Sequence, residues 1–368
     1  MNPFTPTVGQ APIIFAESNS RKQLLSDFQD VFNGNMHNPS RMSFIMGIEG
    51  IGKTAILSQI TTRAYETGGW IVAHTNCGEW LLEDIIKQTT SKATEYLPEK
   101  AKARLTALSV GPLGGVEWEY PDSHVNYPNW RNRFSEILDL LQAKDIGVLI
   151  TVDEAYDFTD LASLITTFPL FIQENRKIAL AIAGKYENIE KMLTSSSISF
   201  TRRTSTYKLE RLSNNEVRRV LGKTVEIGGK QITEEALDKA VEMIDGFPYM
   251  LQLLGFHIWE KSGICELITS QDVEDASAIA KPRFEDSIYQ VIVDALTDQE
   301  QRILELMLQD EEETNKKRLC EEEHLSRIDL NQVVRRLIDK GVIEQLKRGY
   351  ISFAFSGFRE YLLEIWYS

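Results

Sequence analysis

Met46-Gly47-Ile48-Glu49-Gly50-Ile51-Gly52-Lys53-Thr54-Ala55 is the stretch that decides how this chain is read. From Gly47 onward it fits G-x-x-x-x-G-K-[ST], the phosphate-binding loop, without a mismatch. Gly47, Gly50 and Gly52 let the backbone turn tightly and bring its N–H groups to a triphosphate where a Cβ would intrude. The candidate cradle is therefore Gly47, Ile48, Glu49, Gly50, Ile51, Gly52, Lys53, Thr54 and Ala55. Lys53, a candidate for catalysis as well as binding, would reach the β- and γ-phosphates, and Thr54 would offer its hydroxyl to Mg²⁺. The apolar run Met42-Ser43-Phe44-Ile45-Met46 before the loop predicts a buried strand, and Ala55 to Tyr65 after it predicts a helix free of Gly and Pro. Strand, Gly-rich turn and a helix N-terminus aimed at an anion are the arrangement that phosphate binding requires.

The composition sets the frame. At 368 residues the chain exceeds one ordinary core and predicts two or three domains. Hydrophobic content of 42% and charged content of 26% describe a soluble globular protein. No apolar run approaches the ~20 residues of a membrane span, and Met1-Asn2-Pro3-Phe4 shows no basic region followed by an apolar core. Cys77, Cys265 and Cys320 lie far apart without metal-ligand spacing and read as reduced thiols of a cytoplasmic protein. A net charge of −14 opposes coating of nucleic acid by bulk electrostatics, although a local basic face is compatible with it.

A second carboxylate-bearing stretch completes the chemistry. Ile146 to Val152 is an apolar strand that runs directly into Asp153-Glu154. Asp153 at a strand's carboxyl end can hold Mg²⁺ directly or through water, and Glu154 can orient and polarise the attacking water. Trp70 to His74, Ile178 to Gly184 and Thr206 to Leu209 read as further strands, with helices at Arg21 to Phe32, Glu79 to Tyr96 and Trp130 to Gln142. Alternating strands and helices predict an α/β fold, a parallel sheet sandwiched by helices with the ligand at the strands' carboxyl ends. Residues 1–20 suit an extended arm, and arms at this place often wrap the adenine side of a nucleotide pocket. The segment 108–129, with Trp118, Tyr120 and Tyr127, reads as an irregular insertion packed on its own domain or serving as a binding surface.

Beyond Leu212 the pattern changes. Asn214 to Val225, Thr233 to Ile244, Tyr249 to Lys261 and Ser270 to Ala280 predict a helical lid. From Thr297 two helical segments, a helix over Leu325 to Lys340 and a ribbon turning at Arg348-Gly349 predict a winged helix-turn-helix. The expected domains are 1–211 (nucleotide domain with its arm), 212–290 (lid) and 291–368 (winged helix).

Together these residues resemble the AAA+ and STAND group of P-loop ATPases, in particular bacterial and archaeal members with a winged-helix C-terminus related to origin-recognition proteins. The resemblance rests on Asn2-Pro3-Phe4, the phosphate loop, Asp153-Glu154, Ala183-Gly184, Gly246-Phe247-Pro248-Tyr249 and Phe355-Ser356-Gly357-Phe358. It implies ATP or ADP as ligand with Mg²⁺, and ATP hydrolysis as the reaction. It also places Pro248 near the base as a sensor of nucleotide state; the other reading is that Gly246 and Pro248 only end one helix and begin the next. Two departures stand out. Ala16-Glu17-Ser18-Asn19-Ser20-Arg21 replaces the family's Gly-Arg before the first helix, and Lys185 stands where a small polar sensor follows the fourth strand; it could touch the γ-phosphate, the alternative being a solvated residue at a strand end. The resemblance further implies that Arg202 or Arg203 completes the site of a neighbouring subunit in a homo-oligomer, the alternative being two solvated cations.

In the last domain, Arg335, Arg336, Lys347 and Arg348 could meet DNA phosphates with the helix in a major groove. Residues 296–368, however, hold 11 Lys and Arg against 15 Asp and Glu, and a partner protein is the alternative target. Two functions follow from the residues: an ATP-hydrolysing switch that repositions its lid and winged helix, or a DNA-binding regulator or protein adaptor with structural ATP and negligible turnover.

Overall fold

The computed structural model describes residues 1–7, 9–97, 128–194 and 204–367. The chain divides into two compact units, one of Asn19–Gly47 and Lys53–Leu209, the other of Met1–Ser18, Ile48–Gly52 and Glu210–Ser368.

The first unit holds α1 (Asn19–Phe32), β1 (Met42–Met46), α2 (Lys53–Thr67), β2 (Trp70–Asn76), α3 (Leu81–Ala93), α4 (Pro128–Gln142), β3 (Gly147–Ala155), α5 (Thr159–Gln173), β4 (Ile178–Gly184), α6 (Tyr186–Thr194) and β5 (Ser205–Lys208). Its strands form one parallel sheet in the order β2-β3-β4-β1-β5. Every residue of β1 and β4 is buried, as strands of a sheet covered on both faces are, and the one hydroxyl among them, that of Ser43, donates to the Ser40 carbonyl at 2.7 Å. Phe134, Phe168 and Phe171 fill the layer between the sheet and the helices α4 and α5. On the open side of β2, the Gln88 side chain of α3 accepts the His74 N–H at 3.1 Å and donates to the His74 carbonyl at 2.6 Å. Lys92 donates to the Val72 carbonyl at 2.6 Å, so side chains take up hydrogen bonds that another strand would otherwise make.

The second unit holds α7 (Asn214–Ile227), β6 (Gln231–Ile232), α8 (Glu234–Ile244), α9 (Pro248–Lys261), β7 (Leu267–Ile268), α10 (Ser270–Phe284) and a π-helical turn over 285–289 running into α11 (Gln290–Asp294). It continues with α12 (Asp298–Leu308), β8 (Thr314–Asn315), α13 (Lys316–Glu322), α14 (Arg327–Asp339), β9 (Ile343–Lys347), β10 (Tyr350–Phe353) and α15 (Ser356–Tyr367). Helices α12 to α14 and the antiparallel sheet β8-β10-β9 make the winged helix-turn-helix. Ser213 with Glu216 and Thr297 with Glu300 form capping boxes that fix where α7 and α12 begin.

Two features of the packing link segments that are distant in sequence. The arm does not group with the sheet: Asn2 donates to the Phe256 carbonyl at 3.1 Å, the Thr5 N–H donates to Gln252 at 2.9 Å, and the Phe4 ring lies on Gly255 of α9. Residues read as lid and residues read as winged helix pack on one another. Phe247 meets Phe284 and Phe355 edge-on, each at 5.2 Å, and Tyr289 stacks on Phe355 at 5.3 Å, so one aromatic cluster serves both. Helix α15, which the sequence reading left out, adds Phe358 and Tyr361 to that cluster.

Glu300 has no exposed surface and lies between Arg336 at 3.0 Å and Lys340 at 2.7 Å. Burial alone would push its carboxyl up, but bonds from Lys340, the Thr297 N–H and Arg336 outweigh it and hold the carboxyl below its usual range. A depressed folded pKa contributes stability above the unfolded value of about 4.3 that is lost as pH falls through the folded one. Glu300→Ala should therefore cost about 3 kcal/mol at pH 7, because two cations lose their buried partner, and less at pH 3. Denaturant unfolding at both pH values checks this; a cost independent of pH would assign the effect to packing.

Candidate phosphate-binding site

The order β3-β4-β1 makes neighbours of three strand ends that are far apart in sequence. Gly47 follows β1, Asp153 and Glu154 close β3, and Lys185 follows β4. The Gly47 N–H donates to the Gly184 carbonyl at 3.3 Å, which draws the root of the loop to the end of β4. Lys53 and Thr54 open α2, and Lys53 is buried to 5% exposure.

Asp153 is the fixed point. It is 4% exposed, accepts the Thr54 hydroxyl at 2.6 Å on Oδ2, and accepts the Glu154 N–H at 2.9 Å on Oδ1. Its carbonyl accepts the Cys77 N–H at 2.9 Å, so β2 holds it from the other side. The two carboxylates of the strand end are thus unlike: Asp153 is enclosed by donors and Glu154 is exposed.

A β-bulge separates them. Val152 pairs with Ile182 and Ala155 with Gly184, three steps on β3 against two on β4, and Glu154 takes up the extra residue at φ +51°. A side chain in that left-handed region is strained by roughly 1–2 kcal/mol, and bulges re-aim side chains next to active sites. Sequence alone gives no sign of the bulge, because Val152-Asp153-Glu154-Ala155 also suits a regular strand.

The loop residues Ile48 to Gly52 belong to the second unit. Gly50 at φ +71° and Gly52 at φ +93° adopt backbone that other residues avoid. The Gly50 carbonyl accepts the Tyr249 N–H at 3.2 Å, and a Cβ on Gly50 would come within 2.9 Å of Ile288 Cδ1. Ile48 sits against Gly341, where a Cβ would lie 2.7 Å from its Cγ2. Pro248 is the first residue of α9 and has no N–H of its own, so the helix that it starts donates its first N–H, that of Tyr249, to the loop. Tyr249, Ile288 and Gly341 were not singled out from sequence. Tyr249 stood within a quoted motif without a role, and nothing local marks Ile288 or Gly341. Arg202 and Arg203 lie outside the described residues.

Thr54 and Asp153 present the hard oxygens that Mg²⁺ takes, already hydrogen-bonded to each other, and so fit that ion. Among the described residues, no helix is long and apolar enough to cross a membrane.

Known structures share this architecture. A Walker-type ATPase of Pyrococcus abyssi superposes with a TM-score of 0.60 at 12% identity, over 93% of this chain and 95% of that one. The ORC2 protein of Aeropyrum pernix in its ADP form gives 0.53 at 13% identity, over 98% and 95%. Cdc6p of Pyrobaculum aerophilum gives 0.50 at 14% identity, over 97% and 94%. Residues 286–362 match the family model of a domain of unknown function, DUF8462. No curated protein matches the sequence. The chain thus has the fold of the P-loop ATPases related to origin-recognition proteins.

The strain at Glu154 makes a test of its own. Asn tolerates the left-handed region better than Glu, so Glu154→Asn should leave the unfolding free energy unchanged or raise it by up to about 1 kcal/mol. Urea denaturation measures this, and a loss of 1 kcal/mol or more would show that Glu154 holds the fold rather than awaiting a ligand.

Proposed function

We propose that this chain is an ATP-binding, ATP-hydrolysing switch in which one loop serves both the chemistry and the lid with its winged helix. The observation that carries the reading is the division of that loop. Its end, at Thr54, donates to Asp153 of β3, and its tip, Ile48 to Gly52, is seated on Tyr249, Ile288 and Gly341. In this reading Lys53 neutralises phosphate charge, Thr54 and Asp153 hold Mg²⁺, and Glu154 takes a proton from the attacking water. Mg²⁺, when bound, supplies further charge compensation on the phosphates. ATP and ADP would fix the tip differently, and differential affinity for two arrangements is what a switch needs.

Mutations separate these roles. Lys53→Ala should abolish ATP binding in a folded protein, and Glu154→Gln should bind ATP normally yet turn it over at least 100-fold more slowly. Ile48→Ala, outside the G-x-x-x-x-G-K-[ST] signature positions, should change the ratio of ATP to ADP affinity several-fold. Titration with fluorescent nucleotides and a phosphate-release assay read all three. An unchanged ratio in Ile48→Ala would remove the coupling and leave a plain ATPase.

For the winged helix, the charges favour a partner protein over DNA. Arg336 is bound to buried Glu300, Arg335 lies 3.8 Å from Asp339, and Lys347 pairs with Glu313 and lies 4.5 Å over the Tyr350 ring. Of the four cations read as phosphate contacts, Arg348 is the one without a carboxylate partner among the described residues. Ile328 on α14 and Leu346 on β9 are 71% and 74% exposed, an apolar offering that phosphates do not use. The chain should therefore fail to bind duplex DNA by anisotropy at low salt in ATP, ADP or no nucleotide. Salt-dependent binding lost in Arg348→Ala would reinstate DNA.

A further inference from the structure

At the amino ends of β1 and β4, the end of the sheet opposite Asp153, the first unit has a partly open cavity of about 290 Å³. Its wall is divided. Met36, Pro39, Met42, Pro169 and Ile172 supply apolar surface, and His37, Asn38, Arg41 and Thr204 are polar. Arg41 is 4% exposed. Its Nε donates to the Ile178 carbonyl at 2.8 Å, one terminal nitrogen to the Met36 carbonyl at 3.2 Å, and the other to the Arg176 carbonyl.

Those carbonyls use three of the five guanidinium N–H groups and bring no formal counter-charge. Among the described residues no carboxylate lies within ion-pair distance of it. Burial pushes its pKa down to about 10, the direction for a cation enclosed without an anion. An arginine kept only to tie three backbone segments together would be satisfied equally by a packed surround. Here the uncompensated charge borders open space with an apolar wall.

We propose that this cavity binds an anion with an apolar tail, a medium-chain carboxylate whose head pairs with Arg41 and whose chain lies on Met36, Met42, Pro169 and Ile172. The carboxylate would supply the missing counter-charge through the two remaining N–H groups, and a charged pair buried from water gains most from that contact. The site is separate from the phosphate loop and does not depend on the reading of that loop.

Isothermal titration of the full chain with sodium octanoate, n-octanol and sodium acetate tests it. Saturable 1:1 binding of octanoate, at least tenfold tighter than either of the others, is expected. Arg41→Gln should weaken octanoate at least tenfold. Because Arg41 also ties the backbone, that variant can fail to fold, so Ile172→Trp fills the cavity from its apolar side and leaves Arg41 in place. It should abolish octanoate binding with ATP affinity and melting temperature unchanged. Octanol binding as tightly as octanoate would overturn the role of Arg41, and acetate doing so would overturn the tail subsite. Absence of octanoate binding, or equal binding by folded Ile172→Trp, would overturn the site and leave Arg41 as a backbone clamp.

Discussion

A carboxylate almost sealed from water must be met by donors, and the first unit is arranged around meeting that of Asp153. One donor comes from Thr54 at the start of α2, one from the backbone of Glu154, while the Asp153 carbonyl takes the N–H of Cys77 after β2. These bonds converge only if β1, β3 and β2 end at the same level, which a parallel sheet supplies and an antiparallel one would not. The short Thr54–Asp153 bond also holds together the two oxygens proposed to take a cation. The bulge follows from the same requirement: it gives the strand end one enclosed carboxylate and, directly after it, one open to solvent.

The second unit answers a different constraint. Short helices and a small winged sheet each bury little alone, and the aromatic cluster of Phe247, Phe284, Tyr289, Phe355, Phe358 and Tyr361 pools them into one core. The π turn at 285–289 places Ile288 beside Gly50 and Tyr289 in that cluster, one residue apart. A disturbance of the loop tip is therefore only a residue removed from the packing that carries the winged helix.

Much of this was legible because the relevant signals are local. The strands Met42–Met46 and Ile178–Gly184 were read to the residue, since central parallel strands are plain apolar runs between loops. The glycine-rich turn after Met46 and the pair Asp153-Glu154 were legible as strand ends because each closes an apolar run in the sequence. The bulge at Glu154 was not, since register against β4 is a property of two strands. The engagement of Arg336 with Glu300 was hidden for a similar reason: a cation on a helix looks solvated until a carboxylate 36 positions away is buried against it. Helix α15 was overlooked although Phe358, Tyr361, Leu362 and Ile365 keep helical spacing, because the glycine at 357 masks its start.

The arm has a practical corollary for anyone cutting this chain apart. Residues 2–5 reach the lid helix α9 through Asn2, Phe4 and Thr5, more than two hundred positions away in sequence. A fragment starting at residue 210 would leave the flat glycine at 255 bare to water where the Phe4 ring belongs, and would lose the partners of Gln252 and the Phe256 carbonyl. The two units are thus interleaved along the polypeptide, and separate expression of the lid with its winged helix would need the first residues supplied as a grafted segment or a circular permutation rather than a simple truncation.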